Sequence, residues 1–250
     1  MLAITRRNAI KAQLTERKSV TITDLAHRFH VTKETIRRDL RQMEEEGELI
    51  RTHGGAYILD GVQNEIDISM RQVLKTKEKA IIAEKCSQLI QSGDSIFLDG
   101  STTCWFVARQ LGNKKLTVLT TSLKIATILA GSPNIDLVVI GGSFSNNTMS
   151  FQGDNACRAL RNYYVDKAFM SCRFVSLENG ITDVSEADAA IHRLVTQRSN
   201  HTYLVVDNSK VGYTSFTFTC ELTDVEAIIC DTDLPQPWQD YMNEHNIAFY

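Results

Sequence analysis

The 250-residue sequence has no apolar stretch approaching the ~20 residues that a membrane-spanning helix needs, and its N-terminus MLAITRRNAI carries no long apolar run. We therefore expect neither secretion nor a membrane span. The six cysteines stand at positions 86, 104, 157, 172, 220 and 230, and none forms a CxxC pair. This spacing argues against a zinc or redox motif. We expect reduced thiols in a cytoplasmic protein, with no metal and no cofactor.

Positive charge is also scarce, since 27 Lys and Arg residues face 30 Asp and Glu residues and the net charge is −3. The whole molecule is therefore not a basic nucleic-acid binder. Residues 1–58 nevertheless hold 11 basic and 8 acidic residues (+3), whereas the remainder holds 16 and 22 (−6). A basic head on an acidic body predicts that only the head meets an anionic polymer. Charge alone does not decide between this interpretation and chance unevenness.

The head shows the pattern of three short helices. Residues 4–16 predict the first helix, and its apolar positions are Ile4, Ile10 and Leu14. A short β-branched run begins at Val20, and Thr23 is placed to cap a second helix. His30-Val31 predicts the turn that precedes a third helix.

The third helix is expected from Lys33 to about Glu46, with Gly47 at its end. Its buried stripe is Ile36, Leu40 and Met43. Basic and polar residues occupy the opposite side, as in a recognition helix, because arginine can bind guanine or phosphate with two hydrogen bonds. The predicted DNA contacts here are Thr32, Lys33, Glu34, Thr35, Arg37, Arg38 and Arg41. Asp39 is interpreted as a partner that orients an arginine inside the fold. The alternative is an ordinary solvated helix.

The segment ELIRTHGGAYIL alternates up to Gly54-Gly55, which predicts a two-stranded wing that turns at these glycines. Arg51 and His53 are then expected to face the DNA backbone or minor groove. For His53, a turn residue without a DNA contact is an equal alternative.

Residues 20–58 resemble the N-terminal winged helix of the DeoR family of bacterial transcription regulators. The stretches that carry the resemblance are VTITDLAHRFHVTKETIRRDLRQMEEEG and the closing IRTHGGA. The resemblance implies a winged helix-turn-helix, mainly α-helical with a β-hairpin wing, that binds double-stranded operator DNA. We expect this domain at residues 1–58, a linker at 59–76 and a second domain at 77–250.

The second domain contains short apolar runs that are mostly separated by helix-length segments. The runs are SIFLD, LTVLTT, IDLVVIGG, KAFMSC, TYLVVDNS and EAIICD. This alternation predicts an α/β domain with a mostly parallel sheet covered on both faces.

In such sheets ligands collect at the carboxyl ends of the strands. The polar residues that follow the runs are Asp99, Gly100, Ser101, Thr102, Thr103, Thr121, Ser122, Gly141, Gly142, Ser171, Arg173, Asp207 and Lys210. Small residues at a helix start can form a phosphate cradle, and Lys210 and Arg173 can supply positive charge. Each feature alone also fits a turn, a helix cap or a solvated surface charge, but their recurrence favours a shared pocket.

This part of the chain resembles the sensor domain of DeoR-type repressors, which is related in fold to ribose-5-phosphate isomerase and binds phosphorylated sugars. The matching segments are Asp99–Thr103, Thr120–Ser122, Gly141-Gly142, Asp166–Phe169, Gly180–Thr182 followed by Glu186, and Asp207–Lys210. The resemblance adds Glu186 to the expected effector site. DGSTTCWFVARQL and FMSC look closest to the fucose-operon branch.

Three positions depart from the pattern of the family. Ser101 replaces its glycine, with a glycine at position 100 instead, and Thr121 replaces an asparagine. The loop Ser171–Phe174 lacks the usual glycines. These departures change the wall of the expected pocket.

The combined expectation is a DNA-binding repressor of a carbohydrate-utilisation operon, acting as a dimer or tetramer and released by a phosphorylated sugar. One alternative is a sugar-phosphate isomerase with an accessory DNA-binding head, in which Glu186 or Asp207 acts as base. Another is an activator, or a constitutive binder that does not respond to an effector.

Overall fold

The computed structural model describes residues 2–17, 19–52, 54–58 and 68–250. The chain divides into two compact units, Met1–Thr76 and Lys77–Tyr250. Residues 59–67 of the expected linker lie outside the described residues. The domain limits given above therefore stay a prediction.

The first unit begins with three helices and a small sheet. Its elements are α1 (Ala3–Arg17), β1 (Ser19–Thr21), α2 (Ile22–Phe29), α3 (Lys33–Glu45), β2 (Ile50–Arg51), β3 (Gly55–Tyr57) and α4 (Ile68–Arg71). The prediction that Thr23 caps the second helix is wrong. Thr21 is the cap, since its hydroxyl accepts the Asp24 N–H at 3.0 Å and its backbone is still extended.

The core of the first unit comes from one face of each helix, and its largest members are Ile10, Leu14, Leu25, Ile36, Leu40 and Met43. Ile4, expected on the same face as Ile10, is instead 62% exposed. The predicted stripe of the third helix is confirmed.

The predicted two-stranded wing is confirmed as the antiparallel pair β2–β3, and β1 joins β3 to make a three-stranded antiparallel sheet in the order β1-β3-β2. The backbones of β1 and β3 approach closely, because a Cβ atom at Gly55 would lie 2.0 Å from the Val20 carbonyl oxygen. Only glycine fits there. A methionine from α4, Met70, also packs beside Gly55 and is 1% exposed.

The second unit is built around a sheet of seven strands. Its elements are α5 (Thr76–Leu89), β4 (Ser95–Leu98), α6 (Thr102–Arg109), β5 (Leu116–Thr120), α7 (Leu123–Leu129), β6 (Ile135–Val139), β7 (Ser143–Ser145), β8 (Ser150–Gln152), α8 (Asp154–Leu160), β9 (Val165–Met170), β10 (Phe174–Ser176), β11 (Gly180–Asp183), α9 (Glu186–Gln197), β12 (Ser199–Val206), β13 (Thr217–Cys220), β14 (Ala227–Cys230), α10 (Gln236–Glu244) and β15 (Ala248–Phe249). Short 3-10 turns lie at Asn208–Lys210 and Leu222–Asp224.

The seven strands run in the order β15-β14-β12-β9-β4-β5-β6, and every neighbouring pair is parallel. The predicted parallel sheet is confirmed, and all six apolar runs form its strands. Strands β10, β11 and β13 form a separate antiparallel sheet, and β7 pairs with β8 in a hairpin. None of the described helices combines the length and the apolar character needed to cross a bilayer.

Candidate functional site

The outer face of α3 is exposed and carries the predicted DNA contacts. The Thr32 hydroxyl caps the helix by accepting the Thr35 N–H at 3.2 Å, and the hydroxyls of Thr32 and Thr35 lie 3.0 Å apart. Lys33, Arg38 and Arg41 are exposed and make no ion pair with any described residue. These three cations are therefore available to an anionic partner.

Two other predicted contacts are paired within the unit. The Arg37 guanidinium lies 3.2 Å from the Glu34 carboxylate one helical turn away, with both side chains about half exposed or more. Arg51 lies 3.5 Å from the Glu44 carboxylate, which also accepts the Arg51 N–H at 3.0 Å. This contact attaches the wing to α3. His53 lies outside the described residues.

A buried ion pair joins the first and third helices. Asp39 accepts from Arg6 Nε at 2.5 Å and from its terminal nitrogen at 3.1 Å, and the two residues are 5% and 6% exposed. The prediction that Asp39 orients an arginine inside the fold is confirmed. The two-point contact fixes α3 against α1, so that its basic face is held outward.

In the second unit, Asp99 follows β4 and is 2% exposed. Its Oδ1 accepts the Ser101 N–H at 3.0 Å, and its Oδ2 accepts the Ser171 N–H, after β9, at 2.8 Å. Burial raises the pKa of Asp99, but the hydrogen bond and charge of His192 lower it by more, with help from Ser101, so the pKa lies well below its usual range. Asp99 therefore organises the neighbouring loops as a carboxylate.

The segment Gly100–Thr103 leads from β4 into α6. The Ser101 hydroxyl caps the helix by accepting the Cys104 N–H at 3.1 Å. Thr102 and Thr103 are buried, and the Thr103 hydroxyl has no hydrogen-bond partner among the residues that the structure describes. Buried hydroxyls normally have a hydrogen-bond partner, and a polar ligand at this place would supply the one that Thr103 lacks.

The ends of β5 and β6 lie beside this segment in the sheet. Thr121 is buried and its carbonyl accepts the Phe151 N–H at 2.8 Å, while the Ser122 hydroxyl caps α7 through the Ile125 N–H at 3.3 Å. Gly142 packs against the chain between β8 and α8, since a Cβ there would lie 2.7 Å from the Gln152 carbonyl oxygen. Gly141 faces open space.

Lys210 reaches the same strand ends from the 3-10 turn after β12. Its Nζ donates to Ser171 Oγ at 2.8 Å and to the Cys172 carbonyl at 2.7 Å. Asp207 is 3% exposed and caps that turn by accepting the Ser209 N–H at 3.2 Å and the Ser209 hydroxyl. Contacts thus run continuously from Lys210 through Ser171 to Asp99 and Ser101.

Two predicted effector residues are placed differently. The Arg173 guanidinium stacks over the Phe174 ring at 4.6 Å. Glu186 begins α9, is exposed, and forms an ion pair with Arg193. No described contact joins Glu186 to the strand-end residues.

His192 lies next to Asp99, and Asp183 lies on the other side of the His192 ring. Neither residue was predicted from the sequence. His192 Nε2 is 3.3 Å from Asp99 Oδ2, and its Nδ1 is 2.9 Å from Asp183 Oδ2. The helical period was a usable signal, because it places His192 between Ala189 and Val195 on the buried face of α9. A histidine on a buried face needs polar partners from other elements.

Comparisons with known proteins cover both units. The model of the DeoR-like helix-turn-helix domain matches residues 6–62, and that of the DeoR C terminal sensor domain matches residues 74–232. The chain is 38% identical to the HTH-type transcriptional regulator YulB of Bacillus subtilis, over 94% of this chain and 91% of that protein. It is 32% identical to the HTH-type transcriptional repressor GlcR of the same organism, over 96% and 92%.

Two further likenesses are weaker. The L-fucose operon activator of Haemophilus influenzae is 28% identical over 97% of each chain. The structure of ribose 5-phosphate isomerase A from Methanocaldococcus jannaschii superposes with a TM-score of 0.41, at 20% identity over 55% of each chain.

Proposed function

Because this chain belongs to the DeoR family of DNA-binding transcriptional regulators, we propose that it represses a carbohydrate-utilisation operon and is released from its operator by a phosphorylated sugar. The observation that carries the effector part is the continuous cluster of Lys210, Ser171, Asp99 and Ser101 at the carboxyl ends of three adjacent parallel strands. In parallel α/β sheets this is where ligands bind.

The DNA-binding part of the proposal assigns base and phosphate contacts to α3. Lys33, Arg38 and Arg41 are its exposed, unpaired cations among the described residues. One such helix contacts too few base pairs for specificity. The chain is therefore proposed to form a dimer or a tetramer, in which two copies bind the two half-sites of one operator. The proposed location of the protein is the cytoplasm, because its operator DNA lies there.

The effector part assigns an anionic ligand to the loops around α6. The amides at the start of α6 offer hydrogen-bond donors, and so does the Thr103 hydroxyl, which has no hydrogen-bond partner among the described residues. Lys210 supplies a positive charge. Asp99 and Asp207 already accept hydrogen bonds from their own loops, so they are assigned to holding the donors in place. Glu186, paired with Arg193, is assigned to the rim of the site.

Repression is proposed rather than activation, although the relatives include both a repressor and an activator. These relatives are named regulators and cover nearly the whole chain, which disfavours the isomerase alternative. The sign of regulation depends on where the operator lies relative to the promoter.

Fluorescence anisotropy with labelled DNA from upstream of the protein's own gene and its neighbours tests the proposal. At fixed salt, the complex is titrated with glucose 6-phosphate, fructose 1-phosphate, ribose 5-phosphate, L-fuculose 1-phosphate and their unphosphorylated parents. Release by one phosphorylated compound and not by its parent is expected. Tight, salt-sensitive binding that no compound changes would contradict the effector part and keep the DNA-binding part.

A further inference from the structure

Three buried charged side chains connect the strand-end cluster to the small antiparallel sheet. Asp99 follows β4, Asp183 ends β11, and His192 of α9 lies between them. Their exposed fractions are 2%, 6% and 7%. Each carboxylate faces a different ring nitrogen of the one imidazole.

With both carboxylates ionised, this geometry requires the imidazole to be protonated on both nitrogens. A neutral imidazole has one N–H and one lone pair, and the lone pair would face a carboxylate across 3.3 or 2.9 Å. Only the imidazolium donates in both directions. The ring nitrogens point to separate carboxylates rather than to a common centre, and no group of side chains among the described residues is arranged to hold a metal ion.

The two carboxylates in turn hold the backbone of the predicted effector loops. Asp99 accepts the N–H groups of Ser101 and Ser171, and Ser171 bears the hydroxyl that receives Lys210. Asp183 accepts the Arg173 N–H at 3.0 Å and the Thr219 hydroxyl of β13 at 2.8 Å. Through Asp99 and Asp183 the imidazolium therefore connects to two loops that carry expected effector contacts, Gly100–Thr103 and Ser171–Arg173.

We propose that His192 is a positioning residue of the effector site, whose positive charge orients the carboxylates of Asp99 and Asp183 so that the loops at Ser101 and at Ser171–Arg173 hold a phosphate-bearing ligand. The proposal rests on the proposed function, because it assumes that a sugar phosphate binds at these strand ends. It also joins that site to β11 and β13, since Asp183 and Thr219 belong to the small sheet.

Besides Lys210, the titratable groups near this cluster include the thiols of Cys104, Cys172 and Cys220. Burial raises the pKa of all three, well above the usual range for Cys104 and Cys172 and to about 12 for Cys220. They stay protonated at neutral and mildly alkaline pH. Burial lowers the pKa of His192, but the charges and hydrogen bonds of Asp183 and Asp99 raise it by more, to well above its ordinary value of 6.5.

The first test measures the charge state of His192 in the full chain. Histidine ring nitrogens are labelled with ¹⁵N and followed by NMR between about pH 6 and pH 9.5, a range that extends above the ordinary histidine pKa. His192, assigned through the loss of its signal in His192→Gln, is expected to remain an imidazolium at about pH 8. Titration near 6.5, the ordinary histidine pKa, would overturn the proposal.

The second test measures binding of inorganic phosphate and of the four sugar phosphates by calorimetry, in the wild type, His192→Gln and His192→Lys. Glutamine is expected to weaken binding by roughly 30-fold or more, the lower end of the effect of removing one member of a buried charge pair. Lysine restores the cation and is expected to recover much of the affinity. His201→Gln, which removes an exposed histidine paired with Glu226 on the sheet, is the matched control.

A pH profile separates positioning from simple structural support. Above about pH 7.5 a phosphate monoester is a dianion, and its charge no longer changes. Wild-type affinity should fall as His192 loses its proton, and the fall should move to higher pH in His192→Lys. Both proteins keep Lys210, so a difference between their profiles belongs to position 192.

Each outcome has a distinct consequence. Unchanged phosphate affinity in a folded His192→Gln protein would overturn this inference and leave the proposed function intact. A wild type that binds none of the phosphates would overturn the proposed effector site and the positioning role together. If neither His192 variant folds by circular dichroism, Thr219→Val removes one donor to Asp183 and is expected to weaken phosphate binding severalfold; no change there would also overturn the inference.

Discussion

Gly100 lies where the first residue of β8, Ser150, approaches the chain just after β4. A Cβ atom at this position would come within 2.1 Å of Ser150 Oγ and 3.1 Å of its Cβ. The adjacent Ser101 has a different role, because its hydroxyl caps α6. The exchange of glycine and serine relative to the family pattern thus places the small residue at the close approach and the hydroxyl at the helix start.

Gly100→Ala is expected to lower the free energy of unfolding by about 1–3 kcal/mol, because the added methyl group forces Ser150 aside. Urea unfolding of the full chain measures this effect. Gly141→Ala is the matched control, since a Cβ there meets open space. Adding Ser150→Ala to Gly100→Ala should recover part of the loss, and no recovery would contradict this steric account.

His192 and Asp99 make stability depend on pH in opposite directions. The folded-state pKa of His192 is raised, so its contribution is complete below an unfolded value near 6.5 and is lost as pH rises through the folded value. The pKa of Asp99 is lowered, so its contribution is present above its ordinary value of 3.8 and is lost as pH falls through the folded value.

Above about pH 6.5 the unfolding free energy of the wild type is therefore expected to decline by at most about 1.4 kcal/mol per pH unit from His192. Urea unfolding from about pH 5.5 to pH 9.5 measures this slope. His192→Gln should flatten it, whereas His201→Gln should not. Equal slopes in the wild type and His192→Gln would show that His192 is not the group responsible.

At the scale of elements, α3 combines a fixed inner face with an exposed cationic face. Ile36, Leu40 and Met43 hold the helix in the core, and the Arg6–Asp39 pair fixes it to α1. Arg37 on the outer face and Arg51 of the wing have carboxylate partners, whereas Arg38 and Arg41 have none among the described residues. Arg38 therefore has the greater freedom to contact DNA.

Arg38→Ala is expected to weaken operator binding by about 1–3 kcal/mol if the side chain contacts a base. If it contacts a phosphate, specificity stays the same and the slope of log affinity against log salt falls by about 1. Anisotropy titrations at several salt concentrations distinguish these cases. Arg161→Ala, an exposed arginine at the end of α8, changes the net charge equally and should leave both quantities unchanged. Wild-type affinity and salt slope in Arg38→Ala would remove Arg38 from the interface.

At the scale of the whole molecule, induction requires that the effector prefers a conformation or assembly that binds DNA poorly. A ligand shifts this balance only by the difference between its affinities for the two states. DNA contacts and effector contacts are proposed for different units of the chain. A variant in the second unit can therefore abolish release without weakening DNA binding.

Lys210→Ala is expected to bind operator DNA with wild-type affinity and to lose release by the sugar phosphate, because the cation at the strand ends is gone. The anisotropy titration reports both quantities in one experiment. Lys114→Ala is the matched control, since Lys114 also donates to a backbone carbonyl, that of Ser87, but precedes β5 at the amino end of the sheet. Normal release from Lys210→Ala would exclude this lysine from the effector site.

The sequence by itself determined the three-helix head, the buried stripe of α3, the parallel sheet and the alignment of polar residues at strand ends. These features follow from local rules: hydrophobic period, capping residues and the shared direction of parallel strands. The capping residue Thr21 was missed, because Thr23 lies only two residues further along and local signals locate element ends poorly.

Only the tertiary structure decided which polar side chains meet. The partners in the Asp99–His192–Asp183 cluster are 93 and 9 residues apart in the chain, and those in the Arg6–Asp39 pair are 33 apart. The pairing of β1 with the wing strand β3 likewise depends on the return of the chain beside β1. No local pattern specifies such pairings, because each requires the packing of separate elements to bring two buried groups within hydrogen-bonding distance.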